Sequence, residues 1–257
     1  MHWRARIIRA IEQNRFILYR QPIIGISSDN DEHYQVLVRM IDEKGGVLPP
    51  GAFISSAERY NLMAAIDRWV INEVFRLLAE GGTNDDSTGM GGFITINLTG
   101  DSLIDDGLYD YIVSLTNKHG ISLRNVCFEL NETVAISNLV KTTALINALK
   151  KHDCRFSLGD FGSGLSSFAY LKTLPVEYIK IDGTFVKDVS TDPVSRAMVE
   201  SIQQMARAMK LNTIAERVED EQTLNMLREI GIDYAQCYHL GRPQAISESD
   251  REQLIAK

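Results

Sequence analysis

Residues 154–182 read CRFSLGDFGSGLSSFAYLKTLPVEYIKID, and two apolar runs inside them reach polar residues suited to metal or phosphate: FSLGD at Asp160, and YIKID at Lys180 and Asp182. A run of β-type residues does not place a charge at its end unless that end faces water or a ligand. The same pattern recurs at Gln35 in YQVLVR, Asn97 in FITIN, Glu129 in VCFEL, Glu216 in TIAE and Gln236 in YAQ. This repetition predicts parallel strands whose C-terminal ends converge on one site.

Working outward, strand-like runs fall at 16–24, 34–40, 93–98, 126–130, 154–158, 178–181, 212–215 and 234–237. Helical periodicity lies at 50–60, 63–79, 106–119, 137–152, 167–174, 194–209 and 221–230. The loosest stretches, 27–32 and 80–92, read as surface loops. The first two strands are joined with no helix between them, which predicts an antiparallel start to an otherwise alternating β/α order. The pattern favours an α/β fold, a modified TIM-type (β/α)8 barrel with an antiparallel first strand, over an open doubly wound sheet. Its site would lie at the C-terminal strand ends.

The 257 residues suit one such barrel, and 44% hydrophobic residues suffice for a large core, so residues 1–257 are expected to form a single domain. Residues 1–14 read as an amphipathic helix, a natural connector from an upstream domain, and not as a signal peptide. A formal net charge of −7 argues against DNA or RNA as a partner but leaves room for a small phosphate ligand. No apolar run approaches the length of a membrane span. Cys127, Cys154 and Cys237 read as core thiols in a reducing, cytoplasmic setting. His2, His33, His119, His152 and His239 show no metal spacing and are expected at the surface.

Each polar strand end also has a plain structural reading as a helix cap or turn former. Gly162 and Gly164, before Ser166 and Ser167, fit either a capped βα loop or a phosphate-approaching lid. Lys180 and Asp182 share a strand face, as a functional or mutually paired couple. Glu216 and Glu219 are spaced for a first helical turn, where dipole stabilisation would account for them.

Taken together, QPI, QVLVR, INL, ELNE, GDFGSGLSS, LKTLPVEYIKID, AERVE and AQCY…GRP resemble the EAL-domain family in order and over nearly the whole chain. That family binds and hydrolyses cyclic di-GMP, a bacterial second messenger. The resemblance implies that Asn97, Glu129, Asp160, Glu216 and Gln236 match the metal ring or its water-holding neighbours, and that Lys180 matches the residue that orients the attacking water. It implies a ligand cradle of Gln21, Leu37, Arg39, Asp160, Asp182, Glu219 and Pro243, with Arg39 on a phosphate. It also implies a common dimer contact through the GDFGSGLSS loop.

The departures from the family pattern weigh more. Gln35 stands at the family's name-giving glutamate, and Gly159 at the first of its paired aspartates; both are metal ligands in active relatives. An amide is a poor ligand for a hard divalent cation, and glycine offers no side-chain ligand. Arg217 and Cys237 stand where the family usually has glycine, and Arg217 is placed to pair with Glu216. The expectation is a cyclic di-GMP receptor that needs no cofactor to bind and retains Lys180, Glu129 and Glu216 only as catalytic remnants. The alternatives are a weak phosphodiesterase using Mg or Mn to give linear pGpG, and a protein-interaction barrel that binds no nucleotide. Expected partners are an upstream GGDEF or sensor domain, a downstream protein and a second copy of the chain.

Overall fold

The computed structural model describes residues 3–26, 33–80, 92–164, 168–238 and 241–246. The loop expected at 27–32, most of that at 80–92, and His2, Ser166, Ser167 and His239 lie outside the described residues.

The elements run α1 (Trp3–Glu12), β1 (Phe16–Gly25), β2 (His33–Ile41), β3 (Val47–Leu48), α2 (Ile54–Arg59), α3 (Met63–Glu80), β4 (Ile94–Leu98), α4 (Gly100–Leu103) and α5 (Leu108–His119). They continue with β5 (Val126–Asn131), α6 (Glu132–Ser137), α7 (Leu139–Lys150), β6 (Arg155–Phe161), β7 (Tyr178–Ile181), α8 (Gly183–Lys187) and α9 (Pro193–Met209). The last are β8 (Asn212–Glu216), α10 (Glu221–Ile230), β9 (Tyr234–Gln236) and β10 (Gln244–Ala245). Eight strands close a barrel in the order β1-β2-β4-β5-β6-β7-β8-β9 and back to β1. β1 is antiparallel to both its barrel neighbours, β2 and β9, and the remaining barrel pairs are parallel. The antiparallel start expected from the short first connection is therefore present.

Alternation along each strand divides the core. Outward residues such as Ile96, Phe128, Leu158, Ile179 and Ala215 are buried with helix residues in the main apolar cluster. Inward residues form two levels. Ile23, Phe93, Cys127, Tyr178, Ile214 and Tyr234 make an apolar floor. Above it the inward positions turn polar, at Gln21, Gln35, Glu129, Lys180 and Gln236. β1 and β2 outrun their neighbours, pairing from Ile23↔His33 to Phe16↔Met40, so Tyr19, Leu37 and Arg39 rise above the mouth.

Several boundaries differ from the sequence reading. The helix read at 50–60 is a 3-10 turn, Pro50–Ala52, followed by α2, because two prolines and Gly51 interrupt it. The helix read at 137–152 is split: α6 begins at Glu132 and Asn138 leaves helical geometry before α7. Within 167–174 the described turn is 3-10, Phe168–Lys172, ahead of Pro175. α4 and α8 are too short to show a period. Glu216 ends β8, and Glu219 precedes the Asp220 cap of α10, so the two do not share a first helical turn. His33 is buried in the barrel floor, stacked on Phe93 at 4.0 Å, with its Nδ1 accepting the Phe93 N–H at 3.1 Å. It is not a surface histidine, because β2 alternation turns it inward. The three cysteines are free and buried as expected.

One buried acid fixes the segment that follows β4. Asp67 on α3 accepts from Thr99 N at 2.8 Å, Thr99 Oγ1 at 2.7 Å and Ser102 Oγ at 2.6 Å. Burial pushes its pKa up, and these donors oppose that shift. Asp67→Ala strands buried donors and is expected to lower stability by about 3 kcal/mol, measured by urea denaturation.

Candidate functional site

The polar level of the barrel is one connected network. Lys180, reaching in from β7, is only 1% exposed. Its Nζ lies 2.8 Å from Glu129 Oε2 on β5 and 2.9 Å from Glu216 Oε1 on β8. It also donates to Gln35 Oε1 at 3.2 Å. Gln35 Nε2 donates to Asn97 Oδ1 at 3.0 Å and to Glu129 Oε1 at 3.2 Å. Gln236 Nε2 donates to Gln35 Oε1 at 2.6 Å and to Gln21 Oε1 at 3.1 Å, and Gln21 Nε2 reaches Gly241 O at 3.4 Å.

The electrostatics follow from this burial. Desolvation works to lower the Lys180 pKa, but Glu129 and Glu216 outweigh it and hold the ammonium above the usual lysine range. Burial raises the Glu129 pKa, with Lys180 opposing the rise. The ammonium thus takes the place between two carboxylates where a cation is electrostatically favoured.

Gly159 on β6 pairs opposite Asn131, one inward position beyond Glu129 toward the mouth. A Cβ there would stand 2.9 Å from Glu129 Oε1, so the glutamate leans into the room that an aspartate at 159 would need. Asp160, at φ 53, points its carboxylate to Asn131 Nδ2 at 2.6 Å, while its charge helps raise the Glu129 pKa. Among the described residues, no three His, Cys, Asp or Glu side chains form a group able to hold a metal ion.

A cavity of about 380 Å³ opens above the network, lined by Gln21, Gln35, Glu216, Glu219 and Gln236 together with Arg217, Val218, Cys237 and Tyr238. The cavity therefore gathers seven residues singled out in the sequence, Arg217 and Cys237 among them. Other expected cradle residues lie off its lining. Arg39, half-buried, sits over the Tyr19 ring at 4.8 Å and donates to Val38 O at 2.9 Å. Burial lowers its pKa, opposed by Tyr19 and Tyr238. Leu37 precedes it on β2, opposite Tyr19. Asp182 caps α8, accepting from Thr184 N at 2.7 Å, and forms no pair with Lys180. Pro243 lies just before β10, which pairs with β1.

The pairing expected between Arg217 and Glu216 does not form, because Lys180 holds Glu216. Asn131 was missed by the sequence reading. It caps α6 through Val134 N at 3.2 Å while donating to Asp160. Its spacing two residues beyond Glu129 on one strand was the available signal.

The EAL domain model matches residues 4–243. This chain is a member of the EAL-domain family. It is 41% identical over 246 residues to "Cyclic di-GMP phosphodiesterase PdeB" of Shewanella oneidensis, covering 95% of this chain and 28% of PdeB. The chain spans about a third of the length of the curated relatives it matches, 28% to 32% for the first three. Among solved structures it resembles the FimX EAL domain of Pseudomonas aeruginosa bound to c-di-GMP, with TM-score 0.87, 30% identity and coverage of 95% and 97% of the two chains. It also resembles the c-di-GMP complex of PaMucR phosphodiesterase, with TM-score 0.85, 27% identity and coverage of 95% and 98%. No helix among the described residues is long and apolar enough to cross a membrane.

The Lys180 pairing has a measurable signature. Lys180→Ala leaves the buried Glu129 carboxylate facing the partly buried Glu216 carboxylate and is expected to cost about 3–5 kcal/mol at neutral pH. A carboxylate whose folded pKa is raised binds a proton in the folded state where the unfolded one is already ionised. Stability therefore rises as pH falls through that window. The deficit of Lys180→Ala against the parent protein is accordingly expected to shrink on acidification, followed by urea denaturation at neutral and mildly acidic pH.

Proposed function

We propose that this EAL domain is a cyclic di-GMP receptor that binds the dinucleotide without metal and does not hydrolyse it. The observation that carries the reading is Lys180 Nζ bound to both Glu129 and Glu216, beside an amide at Gln35 and a side-chain-free position at Gly159. A pair of divalent cations needs anionic oxygen ligands on both ions. Here two of the retained acids share one ammonium, Asp160 is turned to Asn131, and Gln35 Oε1 already accepts from Lys180 and Gln236. These donors do not fit a two-metal centre.

In this reading the inherited mouth serves recognition. Gln21, Leu37, Arg39, Asp182, Glu219 and Pro243 form the cradle, with Arg39 raised above the rim toward a phosphate. Ligand occupancy would bias an equilibrium read by a neighbouring domain or a protein partner. An upstream GGDEF or sensor domain suits the greater length of the curated relatives, and the ligand implies a cytoplasmic setting.

A second reading is a weak phosphodiesterase dependent on Mg or Mn and yielding linear pGpG. The likeness to PdeB and the retention of Asn97, Glu129, Asp160 and Glu216 favour it. Calorimetry with cyclic di-GMP in EDTA, paired with a product assay in excess manganese, separates the readings. Saturable binding in EDTA with no linear product is expected. Multiple turnover with manganese overturns the receptor reading in favour of the enzyme, and the absence of binding leaves only an interaction barrel.

A further inference from the structure

Arg217 is an exposed residue at φ 53, in the left-handed region, immediately after β8. An arginine there is strained, since its Cβ crowds the following carbonyl, and glycine or asparagine would not be. Such strain persists where the surroundings impose it, and it clusters at ligand clamps. The Arg217 stem lies across Gly183, where an added Cβ would meet its Cδ at 2.5 Å, so the side chain is carried over the start of α8. Arg217 lines the 380 Å³ cavity between Glu216 and Glu219. Among the described residues its guanidinium has no hydrogen-bond or ion-pair partner.

Among the described residues, Arg217 is the cation that lines this cavity. Lys180 is neutralised by Glu129 and Glu216, and Arg39 is bound to a backbone carbonyl and set on Tyr19. A doubly anionic dinucleotide entering the cavity without metal meets Glu216 and Glu219 on the wall and needs an uncommitted positive charge beside them. We infer that Arg217 supplies it, pairing with a phosphodiester of the ligand in place of the missing metal charge. This rests on the receptor reading above and adds a binding residue to it. A guanidinium suits the task because it remains charged and presents paired donors to phosphate.

The test is calorimetry with cyclic di-GMP in EDTA on the parent protein and on Arg217→Gly, Arg217→Asn and Arg217→Lys, with thermal melting of each without ligand. Glycine and asparagine relieve the strain, so both variants are expected to melt at or above the parent's temperature. They are expected to bind about 10- to 100-fold more weakly, with a weaker dependence on salt. Lysine keeps the charge and is expected to fall between them and the parent. Unchanged affinity in Arg217→Gly and Arg217→Asn overturns the inference while leaving the receptor reading intact. Failure of the parent itself to bind overturns both. A loss of binding accompanied by a lower melting temperature assigns Arg217 a structural role instead and also overturns the inference.

Discussion

A single buried ammonium organises the mouth of this barrel. Lys180 is sealed from water and would be intolerable there without anionic partners. Glu129 and Glu216 supply them from two other strands, and Gln35 turns its carbonyl oxygen to the same nitrogen. The partners are constrained in turn, since Glu129 fills the space beside Gly159, and Gln35 links Asn97 to Gln236 and thence Gln21. Most of the inward polar level is thus tied to one charge. The barrel tolerates this level because an apolar floor lies below it and an open cavity above it.

This arrangement changes the electrostatic account of ligand binding. Gln35 and Gly159, in place of two acids, leave less negative charge to oppose an anion, and by itself that would free Lys180 to receive one. The geometry places Lys180 against two carboxylates instead, so its charge is largely balanced within the protein. The unbalanced cation on the cavity wall is Arg217, held on a strained backbone over Gly183.

Much of the fold was legible because strand alternation and strand-end chemistry are local. The eight barrel strands, the antiparallel β1 and the ring of polar ends follow from residues that neighbour one another in sequence. The misreadings have equally local causes. α4 and α8 are shorter than a helical period can reveal, Asn138 breaks a continuous apolar pattern, and Pro49, Pro50 and Gly51 open what looked like one helix. His33 follows the charged pair Asp31 and Glu32, which suggests solvent, although the strand face it occupies is internal.

The sequence alone determined which groups reach the mouth and which carboxylates are missing, since side-chain identity and strand parity require no tertiary information. Only the tertiary structure decided how those groups share charge. Whether Lys180 bridges Glu129 and Glu216, whether Asp160 turns to Asn131, and whether Arg217 pairs with Glu216 depend on distances across strands far apart in the chain. In a poorly hydrated interior, differences of a few ångströms set the outcome, because unpaired charge is too costly to leave there.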